Sequence, residues 1–151
     1  MNKNAQDYWN SYLKTLAHEP SNFHVEAGIA GNKEIADELL ELYLSGKKTA
    51  GSGLVKAYKL AGDSLPKVGN HWIILDSGDE PRCIIKTNRV EQYQFDQVPE
   101  EVAIAEGEGD LSYEYWREAH IKFFTPFLDE WGISDLDKET LVTEFYEVVF
   151  K

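Results

Sequence analysis

Near the N-terminus, apolar residues recur at helical spacing. Tyr8, Trp9, Tyr12, Leu13 and Leu16 fall at i, i+1, i+4, i+5 and i+8, which predicts an amphipathic helix over 4–17. Residues 19–32 hold Pro20, Gly28 and Gly31 and read as loop. Asn32 is placed to cap a second helix with Ile35, Leu39, Leu42 and Tyr43 on one face, and Gly46 stops it.

Past Gly46 the period changes. Residues 47–52 are small and read as a short strand or extended loop, and 54–61 as one or two helical turns ended by Gly62. A turn cluster at 65–70 leads into a buried strand at 71–76. A hairpin connection at 77–80 and a returning strand over 82–90 follow. Pro99 opens a short helix over 99–105. Asp110 or Ser112 caps a longer helix reaching about Phe124, with Trp116, Phe123 and Phe124 as its core residues. Pro126 and Gly132 bracket a turn of helix, and 141–150 closes the chain as a strand. Short strands around a few helices predict an α+β fold with a small, mostly antiparallel sheet or barrel.

Composition narrows this picture. A length of 151 residues fits one domain. With 15 basic and 27 acidic residues the formal charge is −12, which excludes non-specific attraction to nucleic acid or anionic lipid over the whole surface. A single cysteine, Cys83, excludes an internal disulfide, and its apolar setting reads as an inert core thiol. The first residues lack the apolar core of a signal peptide, and no apolar run approaches the length of a membrane span. The reading is a soluble cytoplasmic protein with no membrane partner. The aromatic N-terminal helix either packs on the domain or forms a homodimer contact.

The charge is unevenly placed. Residues 46–69 carry Lys47, Lys48, Lys56, Lys59 and Lys67 against Asp63, and 82–89 add Arg82, Lys86 and Arg89. Residues 100–118 run the other way, with seven acids against Arg117. The basic stretches are either solvated surface or a local groove that guides a phosphate backbone on an acidic body.

Two motifs carry chemical content. Gly46-Lys47-Lys48-Thr49 is not a phosphate-binding P-loop, because Glu41 stands where that motif needs glycine. What remains is a helix end followed by two lysines and a hydroxyl, on a chain whose Gly51 and Gly53 admit a ligand close to the backbone. The second motif, Glu106-Gly107-Glu108-Gly109-Asp110, alternates carboxylates with glycines. Its acids can ligate a hard cation, act as acid or base toward a lysine, or, for Asp110, cap the next helix. On that helix Trp116 and His120 are spaced i, i+4. His120 is placed for a structural hydrogen bond or a proton-donor role, and Arg117 for a surface pair with Glu114 or Glu118. No zincin, nucleophile-elbow or dinucleotide signature is present.

Five strings stand in order: Ser45-Gly46-Lys47-Lys48-Thr49-Ala50, Leu65-Pro66-Lys67-Val68-Gly69, Pro81-Arg82-Cys83-Ile84-Ile85-Lys86-Thr87, the run from Glu106 to His120, and Leu141-Val142-Thr143-Glu144-Phe145. Together they resemble the ASCH domain family, a branch of the PUA-like superfamily, over about residues 30–150. The resemblance implies a small β-barrel flanked by helices over 30–151, with residues 1–29 as an N-terminal helical extension. It implies a cleft beside Lys48 and binding of single-stranded RNA or a nucleotide. Lys48 and Glu108 are then the central pair, with Glu106 the alternative acid. Lys47, Thr49, Ser52, Tyr58 and Arg117 are the candidate substrate-binding residues. The other implied activity is a hydrolase on the same cleft, either a ribonuclease or an N4-acetylcytidine-type amidohydrolase. No cofactor is implied, apart from a divalent cation in the nuclease case. The amidohydrolase pattern places a threonine where this chain has Gly51, which has no hydroxyl.

Overall fold

The computed structural model describes residues 1–20 and 24–151. Among these, ten regular elements follow in the order α1 (Lys3–Leu13), β1 (Val25–Ile29), α2 (Ala36–Leu44), β2 (Ala50–Leu54), α3 (Val55–Ala61), β3 (His71–Leu75), β4 (Pro81–Gln94), α4 (Glu100–Glu106), α5 (Tyr113–Phe124) and β5 (Thr140–Phe150). The strands form one mixed sheet ordered β1-β3-β4-β5-β2. β1 runs parallel to β3, whereas β3 with β4 and β2 with β5 are antiparallel. The fold is therefore α+β, as the alternation of short strands and helices predicts.

The loop expected between the first two helices changes. Residues 19–32 read as loop, yet Val25–Ile29 pairs in register with His71–Leu75. Gly28 sits inside that strand with Trp72 Nε1 3.7 Å from where a Cβ would stand. A strand partnered by a segment some 45 residues on has no local signature, and glycine mimics a loop. Residues 21–23 of that stretch lie outside the described residues.

The chain forms two compact units. The first comprises Met1–Gly46, Lys67–Asn88 and Tyr146–Lys151. Here α1 packs by Ala5, Trp9 and Tyr12 against Ile73, Leu75 and Ile84. Asn2 caps the helix, its Oδ1 accepting from the Ala5 N–H. Asn32 caps the turn before α2, accepting from Glu34 and Ile35. A second cluster joins Leu40 and Tyr43 of α2 to Ile74, Cys83, Ile85 and Tyr146. Cys83 is fully buried, and burial pushes its thiol up to about 11 against the opposing charges of Arg82 and Lys151.

The second unit comprises Lys47–Pro66 and Arg89–Phe145. Its core gathers Leu54, Phe95, Val102, Trp116, Phe124, Ile133 and Leu141. Phe123, expected in the core, is 54% exposed, because the inward ring stripe of α5 follows Trp116, His120 and Phe124 at i, i+4 and i+8 and leaves Phe123 beside its edge. Ser112 caps α5 through the Tyr115 N–H, and Asp110 holds the preceding turn through the Ser112 N–H. Among the described residues no helix is long and apolar enough to cross a membrane.

Candidate functional site

The site belongs wholly to the second unit. It starts from backbone contacts between the Lys47–Thr49 segment and the C-terminal end of α4. The Thr49 N–H donates to the Ala105 carbonyl at 2.6 Å, and the Thr49 hydroxyl donates to the same oxygen at 3.2 Å. Gly107 closes α4 with φ +70°, and a Cβ there would stand 2.1 Å from the Lys47 carbonyl oxygen. Only glycine fits both the left-handed conformation and that approach.

This contact carries the Lys48 side chain beneath the helix end. Lys48 is 7% exposed. Its Nζ lies 3.1 Å from Glu108 Oε2, 3.7 Å from Glu106 Oε1 and 3.4 Å from the Glu106 carbonyl. The carbonyl end of α4 adds the negative pole of a helix to the two carboxylates. Glu108 is 36% exposed at its side chain and Glu106 only 3%, so the pair joins interior to surface.

Glu106 is the most heavily engaged group. Its Oε2 accepts from the Ser52 hydroxyl at 2.9 Å and from the Trp116 indole N–H. Its Oε1 faces His120 Nε2 at 3.3 Å as well as Lys48. Burial alone raises the carboxyl's pKa. The His120 hydrogen bond, the His120 and Lys48 charges and the Trp116 N–H outweigh that, holding Glu106 below the usual carboxylate range. Glu106 is therefore an anion at neutral pH.

A hydroxyl chain extends from it. The β2–β5 register sets Ser52 opposite Thr143, and their oxygens lie 2.7 Å apart. On the other side the His120 ring stacks on Trp116 with centroids 4.1 Å apart and donates from Nδ1 to the Trp116 carbonyl at 2.7 Å. The assembly thus places an ammonium, two carboxylates, two hydroxyls and an imidazole within successive hydrogen-bond steps.

The remaining candidates fall differently. Lys47 is exposed, with its backbone under Gly107. The Tyr58 ring lies over Gly53, 3.0 Å from where a Cβ would stand. Arg117 pairs with Asp137 at 2.7 Å and sits over the Phe95 ring, not with Glu114 or Glu118 as the helical spacing predicts. A partner brought from outside the helix replaces a weak surface pair. Several other basic residues are also committed: Lys56 to Glu139, Arg82 to Asp76 and Arg89 to Glu101. The basic stretches of the sequence are to that extent neutralised locally.

Sequence reasoning does not single out Thr143, which reaches the site only through strand register. Trp116 reads as core, yet its N–H also serves Glu106. The spacing of Trp116 and His120 carries a usable signal, since i, i+4 places both rings on one helix face. Among the described residues no three metal-ligating side chains gather at one point. Glu106 could take a cation only by giving up the donors it already has.

The family model for the ASCH domain matches residues 26–150. The chain belongs to the ASCH domain family. The ASCH domain from Lactobacillus crispatus JV V101 is 31% identical, with a TM-score of 0.89 over 100% of this chain and 97% of that one. A protein from Enterococcus faecalis V583 is 33% identical, with a TM-score of 0.84 over 99% of this chain and 90% of the other. A point variant of an ASCH protein from Zymomonas mobilis shares the fold at 10% identity, with a TM-score of 0.51 over 83% of this chain and 68% of that one. No curated protein matches the chain.

Proposed function

We propose that the chain binds single-stranded RNA or a nucleotide at the Lys48–Glu108 pair. The carrying observation is an ammonium 7% exposed, set 3.1 Å from a carboxylate that is itself one-third open to solvent. Removing charges from water costs several kcal/mol per ion, so a buried pair is poorly explained by stability alone. A donor and an acceptor side by side complement the polar edge of an unpaired base, or a phosphate next to a ribose hydroxyl. The family is generally taken to bind RNA, which agrees with this reading.

The local neutralisation of the basic residues sets the expected strength. Lys48 and the exposed Lys47 and Lys59 offer few phosphate contacts. With two or three contacts, log affinity should fall with log salt at a slope of about −1.4 to −2. Fluorescence anisotropy of a labelled single-stranded oligouridylate, titrated at several salt concentrations, tests this. Lys48→Met should abolish most of the binding. Equal affinity for wild type and Lys48→Met would refute the site.

A second reading rests on the Ser52–Glu106 contact. A hydroxyl 2.9 Å from a buried carboxylate, with Thr143 behind it, has the geometry of a nucleophile beside its base. Under this reading Lys48 stabilises developing negative charge on a phosphoester or amide of a bound nucleotide. Turnover of oligoribonucleotides or acylated nucleosides, lost by at least about a hundredfold in both Ser52→Ala and Glu106→Gln, would establish it. Turnover unchanged in both purified variants would exclude it.

A further inference from the structure

Two glycines flank Glu108, and each is covered by a different element. Gly107 lies against the Lys47 backbone. Gly109 lies against the ring of Tyr115: a Cβ on Gly109 would fall at near-equal distances from Cγ, Cδ1 and Cε1 of that ring, closer than any real side chain tolerates. Three successive ring carbons are equidistant only from points over the ring centre, so Tyr115 rests with one face on Gly109. With φ +61°, Gly109 also has the left-handed backbone that favours glycine. Hydrogen bonds fix the ring's position relative to Glu108. Ser112 Oγ accepts from the Tyr115 N–H at 3.1 Å, Asp110 Oδ1 from the Ser112 N–H at 2.9 Å, and the Glu108 carbonyl from the Leu111 N–H at 3.2 Å. Loop and first helical turn are thus one bonded unit. Tyr115 is nevertheless 44% exposed, so its ring is backed by main chain on one face and reachable from solvent on the other.

The charges nearby are sorted. Around the ring in sequence stand Glu108, Asp110, Glu114 and, three residues on along α5, Glu118. These carboxylates repel a phosphate and leave the ring to an uncharged group. The cations lie on the other flank of Glu108: Lys48 Nζ at 3.1 Å from its Oε2, and the exposed Lys47, whose backbone meets Gly107. Gly107 and Gly109 are two residues apart, so their Cα atoms are separated by at most about 7 Å. One nucleotide bridges such a span from base to phosphate.

We propose that Tyr115 is the base-stacking residue of the Lys48–Glu108 site: a nucleobase lies on the open face of its ring while the attached phosphate is held on the lysine side, so the ligand is one that carries a base and not a bare polyanion. This rests on the reading of the pair as a nucleotide- or RNA-binding site. Stacking on an aromatic ring tolerates any sequence, because every base has a π-face, and loss of one such ring lowers affinity about five- to a hundredfold.

The experiment compares two labelled ligands by anisotropy at one fixed salt concentration: a single-stranded oligouridylate and an abasic ribose-phosphate strand of the same length. Wild type should bind the oligouridylate about tenfold more tightly than the abasic strand. Tyr115→Leu should bring that ratio close to one through loss of oligouridylate affinity, and Tyr115→Phe, which keeps the ring, should restore it. A merely structural role for the ring would shift both ligands together and leave the ratio standing. The wild-type ratio persisting in Tyr115→Leu would overturn the proposal. Equal wild-type affinities for the two strands would also overturn it, while Lys48→Met weakening both strands would leave the Lys48 site in place. Failure of wild type to bind either strand at low salt would defeat both readings. If Tyr115→Leu melts below the assay temperature, Tyr115→Met replaces it, with the same ratio as the readout.

Discussion

Gly107→Ala should damage both stability and the site, and for a reason separable from glycine's conformational freedom. Gly107 has φ +70°, where an L-residue costs about 1–2 kcal/mol. A Cβ there would stand 2.1 Å from the Lys47 carbonyl oxygen, 2.6 Å from its carbon and 3.0 Å from the Lys48 nitrogen. Ordinary contact begins at 3.4 Å, so the new methyl is more than an ångström too close. These neighbours are backbone atoms that no rotamer change can move, and they adjoin the Thr49 N–H that is hydrogen-bonded to Ala105. Forced overpacking of this kind costs about 1–3 kcal/mol in addition to the strain.

The expected total is about 3 kcal/mol. Gly62 is the internal control: it has φ +76°, and a Cβ there meets nothing within 4 Å. Gly62→Ala should therefore cost only about 1 kcal/mol. For urea slopes of about 2 kcal/mol/M, the unfolding midpoint should drop by about 1.5 M in Gly107→Ala and about 0.5 M in Gly62→Ala. Because α4 must back away from Lys47, Gly107→Ala should also weaken oligouridylate binding under conditions where it remains folded. Equal midpoint losses in the two variants would refute the argument that close backbone approach builds the site.

Three further outcomes follow from the same geometry. Glu106 has a folded pKa below its ordinary range, so its stabilisation is present above that range and lost as pH falls through the folded value. Wild type should accordingly lose more unfolding free energy between about pH 7 and about pH 3.5 than Glu106→Gln does; an equal loss would mean the carboxylate is not held as drawn. Cys83, with its thiol pushed up to about 11, should resist iodoacetamide in the native state near neutral pH and react promptly in urea; rapid native labelling would contradict its burial. Trp9 is 4% exposed and its ring lies 5.1 Å from that of His71, so Trp9→Ala should cost about 3–5 kcal/mol in urea unfolding. A loss under about 1 kcal/mol would mean α1 is not docked on β3.

Much of the fold is legible in the sequence because its signals are local. The period of Tyr8, Trp9 and Tyr12 predicts α1, and Asp110 or Ser112 predicts the start of α5, where Ser112 makes the capping bond to Tyr115. The β3–β4 hairpin follows from two apolar runs around a polar turn. β1 escapes such reading because its pairing partner is distant and its glycine suggests loop. Phe123 leaves the core because the inward ring stripe of α5 runs through Trp116, His120 and Phe124 at i, i+4 and i+8, with Phe123 beside its edge. Arg117 finds a different partner because helical spacing is blind to Asp137.

Sequence alone determined the residue types from which a site could be built, Lys48 beside a helix stop and carboxylates separated by glycines, because those patterns reflect short-range sterics and charge. Tertiary structure decided which of them meet. It brought Lys48 within reach of both Glu106 and Glu108, drew Ser52 to Glu106 and Thr143 through strand register, and turned Trp116 and His120 onto the same carboxylate. Such contacts join residues about 10 to 90 positions apart, so they exist only once the β2–β5 pairing and the packing of α4 and α5 bring those segments together.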